Sequence, residues 1–271
     1  MTPQPPIPDP VPDPTDCRIV TYNVIYEGTE PDGHGWDRRR DRVVEELIRL
    51  SPDVIAFQEI WLGQLSWLES ALPDFSWVAA DDALQHTPIA YRSDRFDLVG
   101  SGTFWVAPPD ADPGVPAWDA SYQRLVTHAT LRDKNGGPEW SVFSIHLDHE
   151  GEQARLEGAG VLRERVDEIA PDSEVVVAGD FNCPPGSPPH ERLGEDGSDG
   201  RPLSDAVSVA DTVSGPEETF IGLSPEDEPQ NIDHVFVSDE LAVERVITCV
   251  PATEDTNPPS DHRPVLVDLR Y

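Results

Sequence analysis

The apolar run Val175-Val176-Val177-Ala178 leads directly into Gly179-Asp180-Phe181-Asn182. A run of this kind makes a buried strand. Its end then delivers a carboxylate and an amide to the edge of a sheet. On an extended strand, Asp180 and Asn182 are two apart and point to the same side. Such a pair suits holding a water or a metal beside a phosphate. Other polar clusters also end apolar runs: Thr21-Tyr22-Asn23, Gln58-Glu59, His146-Leu147-Asp148-His149 and Ser260-Asp261-His262. One more, Asn231-Ile232-Asp233-His234, opens a run. Strand ends and loops are where sites gather.

Periodicity places the elements. Expected strands cover 18–24, 53–59, 76–80, 88–91, 96–105, 124–132, 140–147, 174–178, 232–237, 243–250 and 265–269. Expected helices cover 37–50, 61–72 and 150–170, with Val43, Val44, Leu47 and Ile48 at helical spacing and Ser51-Pro52 ending the first. Asn135-Gly136-Gly137 marks a hairpin turn. Strands outnumber helices and both kinds of connection occur. The fold class this predicts is α+β: a four-layer α/β/β/α sandwich of two mostly antiparallel sheets packed face to face, with helices outside. Residues 17–271 form its single domain. Residues 1–16 are expected to be a disordered tail, since seven prolines fall within the first 15 positions.

Charge narrows the setting. The net charge is −33, from 52 acidic and 19 basic residues, and Lys134 is the one lysine. A compact chain this acidic repels itself unless salt screens it. At about 1 M salt the Debye length is about 3 Å, so the composition is that of a halophile. No basic footprint for nucleic acid is visible beyond Arg38-Arg39-Arg40, which a helix spreads around its circumference. No apolar run approaches the roughly 20 residues of a membrane helix, and no signal peptide opens the chain. A cytoplasmic location is expected. Cys17, Cys183 and Cys249 lack zinc spacing and read as reduced thiols.

The six polar clusters, in this order over about residues 17–271, resemble the endonuclease/exonuclease/phosphatase superfamily. That resemblance implies a Mg²⁺- or Mn²⁺-dependent hydrolase of phosphate esters, most directly a nuclease-like phosphodiesterase. Mg²⁺ takes one or two carboxylates plus water and substrate oxygens. Glu59 is then the first metal ligand, assisted by the amide oxygen of Asn23 and, from the far side, by Asp261. Asp180 orients or deprotonates the attacking water, and Asn182 steadies the phosphate. His262 contacts the phosphate, with Asp233 locking its tautomer and raising its pKa. Either Asp180 or the His262–Asp233 pair serves as base. His146 is a second imidazole for the phosphate or leaving group, Arg124 a guanidinium clamp, and Asp148 a support. His149, His234, Cys183 and the tryptophans read as structural, although Phe104-Trp105 and Trp118 could reach a lipid surface. Nucleic acid, a phospholipid headgroup and a soluble phosphoester are the substrate classes; the competing role is a non-catalytic binding protein on the same scaffold. No stable protein partner is implied, and a monomer is expected. Many relatives carry an arginine where this chain has Asn231, after an acidic loop at 224–229. That departure speaks against a long polyanion on this edge.

Overall fold

The computed structural model describes residues 17–28, 34–80, 87–112, 114–195, 201–254 and 258–271. The expected proline-rich tail lies outside the described residues. In chain order the elements are β1 (Cys17–Asn23), α1 (Trp36–Leu50), β2 (Val54–Gln58), α2 (Leu62–Ala71), β3 (Phe75–Val78), β4 (Ile89–Arg92), β5 (Phe96–Trp105), β6 (Leu125–Asp133), β7 (Glu139–His146), α3 (Glu152–Ile169), β8 (Glu174–Asp180), α4 (Pro188–Gly194), β9 (Leu203–Asp205), α5 (Ala206–Val209), β10 (Thr212–Ser214), β11 (Asp233–Ser238), β12 (Ala242–Thr248) and β13 (Val265–Arg270). Periodicity missed α4, β9, α5 and β10, which are too short to show a period. Pro188 and Pro189 start α4, where the missing N–H groups cost nothing.

Two sheets result, ordered β10-β12-β13-β1-β2-β4-β3 and β5-β6-β7-β8-β11-β9. Most pairings are antiparallel; β1–β2, β7–β8 and β10–β12 are parallel. Strand parity sorts the side chains into layers. Ile19, Val54, Ala56, Val142, Val176, Ala178, Val235 and Val267 fill the space between the sheets. Their alternates Val20, Tyr22, Ile55 and Phe57 face α1 and α2, where Val43, Leu47 and Leu68 cover them. Phe143, Ile145, Val175 and Val177 face α3 through Leu162 and Val166. Burying each such side chain contributes roughly 1.5–3 kcal/mol. Phe104 and Trp118 pack against this α3 cluster, so they serve the core side of the molecule.

The same parity builds the site. Continuing the inner face of each strand to its end in steps of two reaches Asn23 on β1, Gln58 on β2, His146 on β7, Asp180 on β8 and Asp233 on β11. Register aligns these ends: Asn23 pairs with Gln58, and Asp180 pairs with both His146 and Asp233. A polar layer lies beneath them. Thr21 Oγ1 donates to Gln58 Oε1 at 3.2 Å, and Gln58 Nε2 reaches Ser144 Oγ at 3.3 Å across the two sheets. Gly179 lets β8 approach β7 here, because a Cβ at this position would lie 2.0 Å from the carbonyl oxygen of Ile145. Among the described residues no helix is long and apolar enough to cross a membrane.

Candidate active site

The inner-face strand ends open into a cleft of about 480 Å³. Glu59, Arg124, His146, Asp180, Asn182, Asp261 and His262 all line it. Asn23 and Asp233 stand directly behind that lining.

Asp180 is the hub. Its Oδ2 accepts from Asn23 Nδ2 at 3.0 Å and lies 3.4 Å from His146 Nε2 and 3.7 Å from His262 Nε2. Its Oδ1 accepts from the Asn182 backbone N–H at 2.9 Å. β8 ends at Asp180, and Asn182 takes a left-handed φ of 50°. The shared side of Asp180 and Asn182 therefore comes from a turn and not, as expected, from an extended strand. The Asn182 amide donates to Leu147 O at 2.9 Å.

Glu59 follows β2 with φ 63° and swings into the cleft. A left-handed glutamate is strained, and its carboxylate is held from both sides. Oε1 accepts from Asn23 Nδ2 at 3.1 Å, and Oε2 from the Tyr26 N–H at 3.1 Å. The Asn23 amide oxygen, expected to assist a metal, accepts from the Ile25 N–H at 3.1 Å, which leaves it a second lone pair. In this arrangement Asn23 bridges the two carboxylates through its nitrogen. Buried Gln64 ties the same turns together by accepting from Glu27 N and Trp61 N and donating to Ile25 O. Arg39 lies wholly inside and donates to the carbonyls of Val24, Ile25 and Pro259. It binds the end of β1 to the Ser260-Asp261-His262 segment. Neither residue was foreseen, because a glutamine or arginine on an exposed-looking helix start carries no periodic signal.

His262 Nδ1 lies 2.7 Å from Asp233 Oδ2. Burial pushes the imidazole pKa down, but the charge and hydrogen bond of Asp233, with Asp261 and Asp180, outweigh it and hold His262 well above its ordinary value. His146 goes the other way: burial first, then Arg124 and His262, keep it neutral. Burial and then Asp233 raise Asp180 to about 7, against the pull of His262. Burial likewise raises Asp261 to about 6, with His262 opposing and Glu59 adding to the rise.

Arg124 is buried just before β6. Its Nε donates to Asp148 Oδ2 at 3.3 Å and its Nη2 lies 3.0 Å from His149 Nδ1. Asp148 also accepts from the backbone N–H groups of Ser121, Tyr122, Glu150 and Gly151, so it organises the loop carrying Arg124. His149, read from sequence as structural, lines the cleft and stacks on Tyr122 with ring centroids 5.7 Å apart. Its place three residues after His146 was the available signal.

The donor set fits a divalent cation. Glu59, Asp180 and Asp261 bring hard oxygen ligands to one cleft, and the pKa values of Asp180 and Asp261 are raised by burial first, with Asp233 and Glu59 respectively adding to the rise. Asp180, Asp233 and His262 also bring ligand atoms within 4.8 Å of one another. Asp233 and His262, however, already satisfy each other through their 2.7 Å bond. Glu59 and Asp261 also line the cleft, and Glu59 adds to the rise of the Asp261 pKa.

A family model described as Endonuclease/Exonuclease/phosphatase family matches residues 20–262. Among solved structures, an endonuclease/exonuclease/phosphatase from Bacteroides vulgatus is 30% identical with a TM-score of 0.85, covering 94% of this chain and 99% of that one. A mannosyl-6-phosphatase of Bacteroides thetaiotaomicron is 27% identical with a TM-score of 0.84, covering 94% and 100%. Nocturnin of Drosophila melanogaster is 24% identical over 202 residues, which is 64% of this chain and 30% of that protein. The curated relatives are matched over 30%, 66% and 57% of their lengths.

Proposed function

Because the chain belongs to the endonuclease/exonuclease/phosphatase family, whose members are phosphoesterase hydrolases, we propose that it hydrolyses small phosphate esters with Mg²⁺ or Mn²⁺ held at Glu59 and Asp261. The observation that carries this reading is Asp180. It sits centrally, buried, with a pKa near 7, where a carboxylate works as a general base at neutral pH. The His262–Asp233 pair has the opposite character. An imidazole held protonated cannot take a proton, so it supplies positive charge to a phosphoryl oxygen. Asp180 is therefore the base. Neutral His146 faces the same space and is available to the leaving oxygen, while Asn182 and Arg124 orient the phosphate. Asn23 keeps Glu59 and Asp180 at a fixed separation. A bound divalent cation supplies neutralisation of the phosphoryl oxygens.

One relative bears on the ester type. The similar Bacteroides protein is a mannosyl-6-phosphatase by name, which favours a soluble monoester. The nuclease-like diesterase expected from sequence is the second reading. A nuclease acting on long strands is disfavoured, since Arg124 is the one arginine lining the cleft among the described residues.

The test is turnover of an aryl phosphate monoester and a bis-aryl phosphate diester in molar KCl, with Mg²⁺, with Mn²⁺ and with chelator. Asp180→Ala should lower metal-dependent turnover by about 10³-fold. A folded, metal-binding wild type that cleaves neither ester overturns the reading and moves the protein to a binding role.

A further inference from the structure

The cleft is asymmetric in charge. In the order β6-β7-β8-β11, Arg124 and His149 belong to the β6–β7 end. Phe220, Leu223, Asp227 and Gln230 come from the segment that leads into β11, at the other end. In that sheet β7 and β8 separate β6 from β11. Asp180 and His146, on β8 and β7, lie between them, while His262 adjoins the β11 end, bridged to Phe220 with ring centroids 5.1 Å apart. Arg124, His262 and a cation held at Glu59 and Asp261 would together neutralise one phosphoryl group. Beyond His262, the segment leading into β11 adds no basic side chain to the lining among the described residues, and it presents the carboxylate of Asp227.

That carboxylate is fixed in place. Asp227 Oδ2 accepts from the backbone N–H groups of Leu223 at 2.9 Å and Ser224 at 2.8 Å. Gly222, at φ 67°, lies so close that a Cβ there would be 2.1 Å from the Asp227 Cβ. Glu226 and Glu228 flank it in the acidic loop.

We propose that this wall selects the substrate by charge: the cleft takes a molecule carrying one phosphoryl group on an uncharged, hydroxyl-bearing partner, and Asp227 excludes a second phosphate. The inference rests on the phosphoesterase reading and adds a specificity-determining residue to it. A carboxylate only accepts hydrogen bonds. It therefore favours a hydroxyl donor in the leaving part and repels an anion. At about 1 M salt the screening length is about 3 Å, so charges outside the cleft do not contribute, whereas a side chain touching the substrate still does.

The probes are glucose 6-phosphate and glucose 1,6-bisphosphate, which differ by one phosphate at the far end. Their binding is measured by calorimetry with Ca²⁺ present, and their turnover with Mg²⁺, all in molar KCl. Wild type should favour the monophosphate by at least about tenfold in Kd. Asp227→Asn keeps an acceptor oxygen for Leu223 and Ser224 and removes the charge; it should shrink the preference at least threefold. Glu240→Gln, in the turn after the opposite end of β11, removes one charge from elsewhere and should leave the preference as it was. Equal or tighter binding of the bisphosphate by wild type overturns the proposal, with no variant needed. So does binding of neither probe, or an equal response to Glu240→Gln. Selective binding without turnover of any ester sinks the phosphoesterase reading and leaves the charge selection standing.

Discussion

Asp233 and His234 are neighbours on β11 and face opposite sides of the sheet, and each belongs to a histidine–aspartate cluster. On the inner face Asp233 holds His262 at 2.7 Å. On the outer face His234 packs edge-on against His190, with ring centroids 4.8 Å apart, and His190 Nε2 lies 2.8 Å from Asp205 Oδ2. Both groups bring three possible ligand atoms within 4.8 Å. They differ in how far their polar groups are satisfied. Gly186 N–H donates to His190 Nδ1, which puts the ring proton on Nε2, where Asp205 accepts it. His234 Nε2 is spent on Cys183 O, and Asp205 Oδ1 on Val207 N. The outer cluster is a closed chain of hydrogen bonds with no lone pair to spare at His190 for a metal. The inner cluster leaves Asp233 Oδ1 and His146 Nδ1 buried without a partner, beside carboxylates with raised pKa values. Composition alone does not separate a site from a brace; unsatisfied polar atoms and crowded charge do.

The contrast breaks most visibly at Asp233. Asp233→Asn removes the group that holds His262 protonated, so kcat should fall about 10²-fold. The alkaline limb of the pH–rate profile, where His262 loses its proton, should move to lower pH. An unchanged limb would show that His262 does not act as a cation.

A stability measurement sharpens the same difference. The folded pKa values of Asp180 and Asp261 lie above the ordinary 3.8, at about 7 and about 6, and that of His262 lies above 6.5. The folded state thus binds more protons than the unfolded chain. Asp180 and Asp261 stabilise the protein most at low pH and their contribution is lost as pH rises from about 4 through 7, whereas that of His262 is present below about 6.5 and lost as pH rises through its higher folded pKa. Cation-free protein should drop in Tm across that window, and Mg²⁺ should restore roughly 5 °C at pH 7.5, on the order of 1–2 kcal/mol. A Tm at pH 7.5 indifferent to Mg²⁺ would count against the cation site. The outer cluster has the opposite sign. His190 holds the Asp205 pKa below its ordinary value against the upward push of burial, so its contribution is present above about pH 4 and lost as pH falls.

Breaking the outer cluster should therefore read out as stability. His190→Phe leaves Asp205 without its partner and should cost roughly 1–3 kcal/mol, with kcat within about threefold of wild type. A loss of kcat as large as that of Asp233→Asn would erase the distinction drawn between the two faces. The smallest effect belongs to an exposed pair away from both clusters. Arg132→Ala removes the contact with Glu139 and should move stability by less than about 0.5 kcal/mol.

Much of this arrangement was legible in the chain. The runs at Val175-Val176-Val177-Ala178 and at Ile19-Val20 announce buried strands, and period-two alternation assigns one side of each strand to the space between the sheets. A polar residue further along that inner face must then emerge at the sheet end, as Asn23, His146 and Asp180 do. Local chemistry of this kind needs no partner to be read. Other features had no local cause. Arg39 reads as one third of a basic triplet, yet it is the arginine turned inward, because the carbonyls it satisfies belong to segments 14 and 220 residues away. His149 became a cleft residue because Asp148 folds its loop back over Arg124.

By itself, then, the amino-acid order determined which side chains lie at strand ends and on which face, since backbone pleat imposes that alternation on any extended run. Only the tertiary structure decided how those ends are used. Two sheets had to pack before Asn23 could turn its nitrogen to both Glu59 and Asp180. The 219–232 segment had to close before Asp227 could stand across from Arg124. The pKa values that separate Asp180 from an ordinary aspartate arise from desolvation and neighbouring charge, which exist only once distant segments are brought together.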